Sequence, residues 1–245
     1  MTWVSATATG EDGDEELWEG PTETTPRSEV HPDVIYEQIS RGVPCWITDS
    51  AGVRSTLHID RWLGGVASTP EDRLADARML ECCSGPTLDI GCGPGRLVAA
   101  LNDRGVPALG IDTSALAVEM TRRRGGAAIH GDVFDPLPEY EGASHVLLAD
   151  GNIGIGGDPL RMMVRASELL APEGSVIIEL DPATEGVQQL TMRWETVLNF
   201  GPWFPWARVG VGTFNEVARH AGLVLVDEVH VAHRSFVVME QGCRI

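Results

Sequence analysis

Gly91-Cys92-Gly93-Pro94-Gly95 follows a short apolar run, Thr87–Ile90, that carries one acid, Asp89. Alternate glycines let the backbone turn sharply and let a ligand approach the main chain with no side chain in the way. The spacing decides which ligand. A dinucleotide fingerprint needs G-x-G-x-x-G, and from Gly91 its third glycine would fall at position 96, which is Arg96. Pro94 also removes an N–H that a pyrophosphate cradle would use. The loop therefore suits a ligand without a diphosphate. Three further polar positions follow apolar runs: Asp112 in GID, Asp132 beside Val133 in HGDVF, and Asp150 with Asn152 in LADGNIG. A carboxylate that accepts from two hydroxyls makes a strong charge-assisted pair. Taken singly, Asp112 also reads as a helix cap and Asp132 as a turn residue.

Parallel strands must position these residues. TLDIG, VPALGID, AAIH, SHVLLAD and GSVIIELD read as five short strands, apolar throughout, as strands covered on both faces are. Helices are expected over Arg96–Arg104, Ser114–Arg124 and Asp158–Leu170. TFNEVARHAGL then reads as a helix, and VLVDEVHVA with SFVVMEQ as a final antiparallel hairpin. The alternation predicts an α/β fold: a doubly wound, mostly parallel seven-stranded sheet with a C-terminal antiparallel hairpin and a small N-terminal cap. Ligands should bind at the carboxyl ends of its central strands.

Residues 85–245 form that domain. Residues 30–84 are expected to form the cap, with a hairpin over 45–62 and a helix opened by Thr69-Pro70-Glu71-Asp72. Leu74, Ala77, Leu80 and Cys83 are its expected buried stripe. Residues 1–29 read as a mobile acidic tail, since 11–29 hold eight acids and one base without a period that could bury a face.

Composition removes whole chemistries. The 245 residues carry 36 acids and 18 bases, a net of −18, and every base is arginine. Without lysine there is no Schiff-base, pyridoxal-phosphate or P-loop chemistry. Such acidity also disfavours a sequence-independent grip on nucleic acid. Neither a membrane span nor a secretory signal is expected. Five cysteines without CxxC spacing suit reduced thiols in a cytoplasmic protein. No histidine–carboxylate spacing suggests a metal site.

The motifs together resemble the class I S-adenosylmethionine-dependent methyltransferases, small-molecule type. LDIGCGPG (88–95) looks like the family's first motif, and LLAPEGSVIIEL (169–180) is similar to the helix–turn–strand after its fourth motif. The likeness covers residues 80–181 well, the final helix and strands loosely, and residues 1–68 hardly at all. It implies S-adenosylmethionine as cofactor and S-adenosylhomocysteine as product. By the resemblance, Asp112 grips the ribose hydroxyls, Asp132 accepts from the adenine amino group, and Val133 lines the ring. Asp89, Gly91, Cys92, Gly93, Gly95, Thr113 and Asp150 complete the implied cofactor set.

Methyl transfer is an in-line displacement, so alignment and exclusion of water dominate. Asp150 and Asn152 are the best-placed catalytic groups. Family members acting on exocyclic amines often carry Asn/Asp-Pro-Pro-aromatic there; this chain has Asp-Gly-Asn-Ile, which does not support that mechanism. The four-glycine loop 151–159 reads equally as a ligand-approach loop and as a plain strand-to-helix connection. Six aromatics fall within 194–214, and Trp194, Trp203 and Trp206 are expected to wall an acceptor pocket. Packing of a long connection is the rival reading. Trp46 and Trp62 of the cap are candidates to close over it. The expected partner is a small-molecule acceptor, with O-, N- or C-methylation and a homodimer left open. A non-transferring S-adenosylmethionine-binding regulatory protein is the alternative.

Overall fold

A computed structural model describes residues 27–242 apart from 58, 66, 67, 138, 139 and 141. Most of the tail expected over 1–29 lies outside the described residues, as do Cys243 and His58. The first part of the chain forms β1 (Ser28–Glu29), α1 (Pro32–Ser40), β2 (Cys45–Asp49), β3 (Arg54–Thr56), α2 (Ile59–Leu63) and α3 (Pro70–Glu81). Next come β4 (Thr87–Ile90), α4 (Arg96–Asp103), β5 (Ala108–Asp112), α5 (Ala115–Arg123), β6 (Ala127–His130) and β7 (Ala143–Leu148). A 3-10 segment at Asn152–Gly157 leads into α6 (Pro159–Glu168) and β8 (Leu170–Leu180). The chain closes with β9 (Val187–Thr196), β10 (Asn199–Phe200), β11 (Phe204–Val209), α7 (Val211–His220), β12 (Leu223–Val231) and β13 (Arg234–Gln241).

Seven of these strands form one sheet in the order β12-β13-β8-β7-β4-β5-β6. Pairs among β4 to β8 are parallel, and β13 runs antiparallel to both β8 and β12. The expected doubly wound sheet is present, hairpin included. Its central strands β4 and β7 are largely apolar and buried because helices cover both faces, whereas β12 at the edge is mostly exposed. Val146 and Leu148 of β7 pack with Met162, Met163 and Phe214, while Leu147 between them packs with Met79, Leu101 and Phe236.

Helix starts follow local chemistry. The Thr69 hydroxyl accepts the Asp72 N–H at 3.0 Å, Ser114 accepts from Ala117, and Asp158 accepts from Arg161 ahead of Pro159. The buried face of α3 differs from the expected stripe. It holds Asp72, Ala75, Met79 and Leu80, while Leu74 is 55% exposed. A hydropathy stripe misses a buried acid; Asp72 is buried because Arg61 pairs with it at 2.8 Å.

The expected hairpin exists as β2 and β3 around the Ser50-Ala51-Gly52 turn, but residues 59–63 are helical. The long connection read between the strand GSVIIELD and the last helix is instead largely strand. There β9 alternates apolar residues with Gln, Thr, Arg and Glu, and it buries Glu195 and Thr196 beside Met192.

The chain divides into two compact units. One holds His58–Leu190 and Pro205–Ile245, and the other holds the described part of Trp3–Leu57 with Thr191–Phe204. This division differs from the expected 30–84 cap. Helix α3 belongs with the large sheet, and residues 191–204 belong with the N-terminal elements. The second unit's strands order as β1-β10-β9-β2-β3.

Candidate active site

From β4 the chain winds outward through β5 and β6, then returns to β7 on the other side of β4. The crevice beyond the carboxyl ends of β4 and β7 is thus the topological switch point, where open α/β sheets bind ligands. Gly91 (φ 69°), Gly93 (φ 53°) and Gly95 (φ 79°) all lie in the left-handed region, so the loop needs glycine at each turn. At Gly91 a Cβ would stand 2.7 Å from Asn152 Nδ2, and at Gly95 it would meet the Thr121 side chain. The bare main chain at these two positions is therefore approached by protein neighbours. Cys92 is buried, and burial pushes its thiol up, which leaves it protonated and inert.

Asp112, at the end of β5, ties the loop to its neighbour. Its Oδ2 accepts the Gly93 N–H at 2.9 Å and its Oδ1 the Ser114 N–H at 2.8 Å. Thr113 is exposed, and its carbonyl lies 3.1 Å from His130 Nε2. Asp132 is exposed after β6, with Oδ1 accepting the Phe134 N–H at 2.9 Å. Val133 is buried, and Arg165 of α6 donates to its carbonyl at 2.7 Å and to that of Asp135 at 2.8 Å. One arginine thus holds the loop that presents Asp132.

Asp150 and Asn152 are both engaged. Asn152 Nδ2 donates to the Ile90 carbonyl at 2.8 Å and to that of Gly91 at 3.0 Å, joining the ends of β4 and β7. Asn152→Ala strands those two acceptors and is expected to cost about 1–3 kcal/mol, read by chemical denaturation. Asp150 adopts φ 52°, unusual for a residue with a side chain, and its N–H donates to Glu179 Oε2 at 2.8 Å. Its carboxylate meets Arg96 at 2.5 and 3.1 Å. Burial pushes the Asp150 carboxyl up, but Arg96 and Arg234 outweigh it and hold the group below its ordinary range.

Arg96 also donates to Asp76 of α3 at 2.9 and 3.2 Å. Arg234, the first residue of β13, makes a fork with Glu179 at 2.7 and 2.7 Å and reaches Asp76 at 2.6 Å. This buried network is the main feature that reading the sequence did not find. Arg96 stood out only as a mismatch to a dinucleotide motif, and an arginine opening a hairpin strand carries no signal of burial.

Asp89 lies inside the same region, 2% exposed. Burial pushes its carboxyl up to about 8 against the pull of Arg96, and Asp150, Asp112 and Asp76 add to the rise. Of the expected acceptor residues, Trp206 belongs to the large unit, beside Gly154, whereas Trp194 and Trp203 belong to the second. Trp194 packs against Tyr36 and Phe204 at centroid distances of 6.2 and 6.4 Å. Trp46 lies on β2 and Trp62 on α2. Among the described residues no cluster of His, Cys, Asp and Glu could hold a metal ion. No helix among them is long and apolar enough to cross a membrane.

A seven-stranded sheet with one antiparallel strand, a glycine loop after β4 and an acid after β5 define the class I Rossmann-like methyltransferase fold. Residues 87–174 match the family model described as a methyltransferase domain. This stretch is thus a methyltransferase domain, set in a sheet of the class I fold. Solved structures share the fold at low identity. A Bacteroides fragilis S-adenosylmethionine-dependent methyltransferase, in complex with S-adenosyl-L-homocysteine, superposes with TM-score 0.68 at 20% identity, over 85% of this chain and 92% of that one. The CcbJ methyltransferase from Streptomyces caelestis gives 0.56 at 18%, over 74% and 93%. The Burkholderia thailandensis 1,6-didemethyltoxoflavin-N1-methyltransferase gives 0.52 at 16%, over 71% and 79%. No curated protein matches the chain by sequence.

Proposed function

We propose that the chain transfers the methyl group of S-adenosylmethionine to a small organic acceptor whose nucleophile attacks without help from a protein base. The observation that carries this reading is the engagement of every carboxylate described at the crevice edge of β7 and β8. Asp150 is paired with Arg96, Glu179 with Arg234, and Asp181 accepts from Ala183 and Thr184. Asn152 is spent on two carbonyls. These groups fix the loops, so catalysis rests on alignment and exclusion of water. An acceptor that is already a free nucleophile near neutral pH fits this edge best. The small size of the acceptor is supported by the net charge of −18, which opposes polyanionic substrates. The 1,6-didemethyltoxoflavin bound to the Burkholderia methyltransferase is also a small molecule.

The residues present fit the cofactor. Asp112 sits at the end of β5 with its carboxylate held toward the loop, and Asp132 is exposed after β6. The cofactor, when bound, supplies the electrophilic methyl. Asp112 would hold the ribose hydroxyls, Asp132 and Val133 the adenine, and the Gly91–Gly95 loop with Asp89 the cationic portion.

Asp89 makes binding depend on pH. Its proton leaves near pH 8, against 3.8 for an ordinary aspartate. The folded state therefore keeps a proton that the unfolded chain has lost, and stability falls as pH rises through that window. A cationic ligand favours the carboxylate, so binding expels the proton. S-adenosylmethionine affinity is expected to rise by up to about tenfold per pH unit below pH 8 and to level off above it. Calorimetry in buffers of different ionisation enthalpy reads the released proton. An affinity flat from pH 6.5 to 8.5 contradicts this role.

The acceptor is tested by incubating the protein with methyl-labelled S-adenosylmethionine and a panel of metabolites, bulk tRNA and unfolded protein. Label should enter low-molecular-weight products. Label found only in tRNA or protein overturns the reading, and tight binding with no transfer favours a regulatory S-adenosylmethionine-binding protein.

A further inference from the structure

We propose that the second unit binds an aromatic carboxylate on the face of β9, β2 and β3 around Glu195. In register, Phe200, Glu195, Trp46 and Thr56 form one row across the strands, and Arg193, Thr48 and Arg54 form the next. Partners in register, and residues two apart on a strand, share a face. Arg27, just before β1, joins them.

Glu195 is 1% exposed, and it is paired beyond its need. Arg193 meets its Oε1 at 2.6 Å through both Nε and a terminal nitrogen. Its Oε2 accepts from Trp46 Nε1 at 3.0 Å, from Arg27 at 3.0 Å and from Arg54 at 3.4 Å. A buried carboxylate is satisfied by one forked arginine and an indole N–H. Two more guanidiniums add mutual repulsion. Among the described residues, exposed Glu29, in register with Phe200, is the other acid that strand register places on this face. Three arginines thus face two carboxylates, and the face is positive in a chain of net −18.

Arg54 is the cation least committed to Glu195. Its side chain is 58% exposed, its contact is the longest, and its guanidinium lies 4.8 Å over the Trp46 ring. Thr48 supplies an independent observation. It is 7% exposed, it stands in register between Arg54 and Arg193, and its hydroxyl has no hydrogen-bond partner among the described residues. A buried hydroxyl without a partner is costly. A carboxylate that draws Arg54 off Glu195 gives both that fork and the hydroxyl an acceptor. The surroundings suit a flat ring: Arg193 lies 4.6 Å over Phe200 and 4.6 Å over Trp203, and Trp203 is 45% exposed.

The full chain is to be titrated with benzoate and with its neutral isostere benzamide, by calorimetry and tryptophan fluorescence. Benzoate should bind at least tenfold more tightly than benzamide, and its affinity should fall as salt rises. Arg54→Ala, at an exposed site that folding tolerates, should weaken benzoate at least tenfold. Thr48→Val should weaken it several-fold. Both variants should bind S-adenosylmethionine as the parent does, so failure here is distinct from failure of the methyltransferase reading. Equal binding of the two probes, no benzoate binding at 10 mM, or an unchanged Arg54→Ala variant overturns the proposal.

Discussion

Arg234→Ala is expected to lower the stability of the protein by about 3–5 kcal/mol, the cost of stranding a buried charge. The Arg234 side chain is 1% exposed, and its guanidinium fork is shared between Glu179 and Asp76. Truncation takes from Glu179, itself 1% exposed, the guanidinium that forks both its oxygens in a buried site. The remedy distinguishes this cause from simple loss of packing. Replacing the pair with apolar residues, Arg234→Met with Glu179→Met, removes both charges and should recover much of the loss. Denaturant unfolding of the two variants beside the parent reads the difference. The single variant should also loosen the crevice, because Glu179 accepts the N–H of Asp150 in its left-handed conformation. If Arg234→Ala unfolds at the parent's midpoint, the network is not what joins β8 and β13 to α3.

Asp112→Ala is expected to weaken S-adenosylmethionine binding by about 100-fold or more. Two charge-assisted bonds to the ribose hydroxyls are worth roughly 1.5–3 kcal/mol each, and 1.4 kcal/mol is about tenfold in affinity. The same carboxylate accepts the N–H groups of Gly93 and Ser114, so its removal also frees the glycine loop from β5. Asp112→Asn separates the two effects. The amide oxygen still accepts one backbone N–H, so the loop keeps part of its tie, while the charge is lost. Both affinity and stability for Asp112→Asn should fall between those of the parent and the alanine variant. An alanine variant that binds as the parent does removes Asp112 from the site.

The sheet was legible because its strands obey one simple rule. Leu88, Ile90, Val146, Leu147 and Leu148 are apolar on both faces, and caps such as Thr69, Ser114 and Asp158 mark the helix starts between them. The glycine loop was legible because its spacing is tied to backbone geometry, and Asp112 stood out through the family resemblance and its place at the end of an apolar strand. What escaped was everything buried by charge pairing. Asp72 shifted the buried face of α3 away from Leu74 while Leu80 and Cys83 stayed buried, Glu195 disguised β9 as connection, and Arg234 and Arg96 gave no hint of being interior. A buried ion pair looks like surface to hydropathy, and its partners lie far apart in sequence. Arg234 and Asp76, or Arg27 and Glu195, meet only once the chain has folded. The division of the N-terminal region was hidden for the same reason, since residues 191–204 complete its sheet from the far end of the chain.

The central claim is that the crevice beyond β4 and β7 takes S-adenosylmethionine. Calorimetric titration of the intact protein with S-adenosylmethionine, with S-adenosylhomocysteine, and with nicotinamide adenine dinucleotide tests it most directly. One site per chain that binds the first two and ignores the dinucleotide is the expected result. No heat with S-adenosylmethionine, or saturable binding of the dinucleotide in its place, would contradict the account.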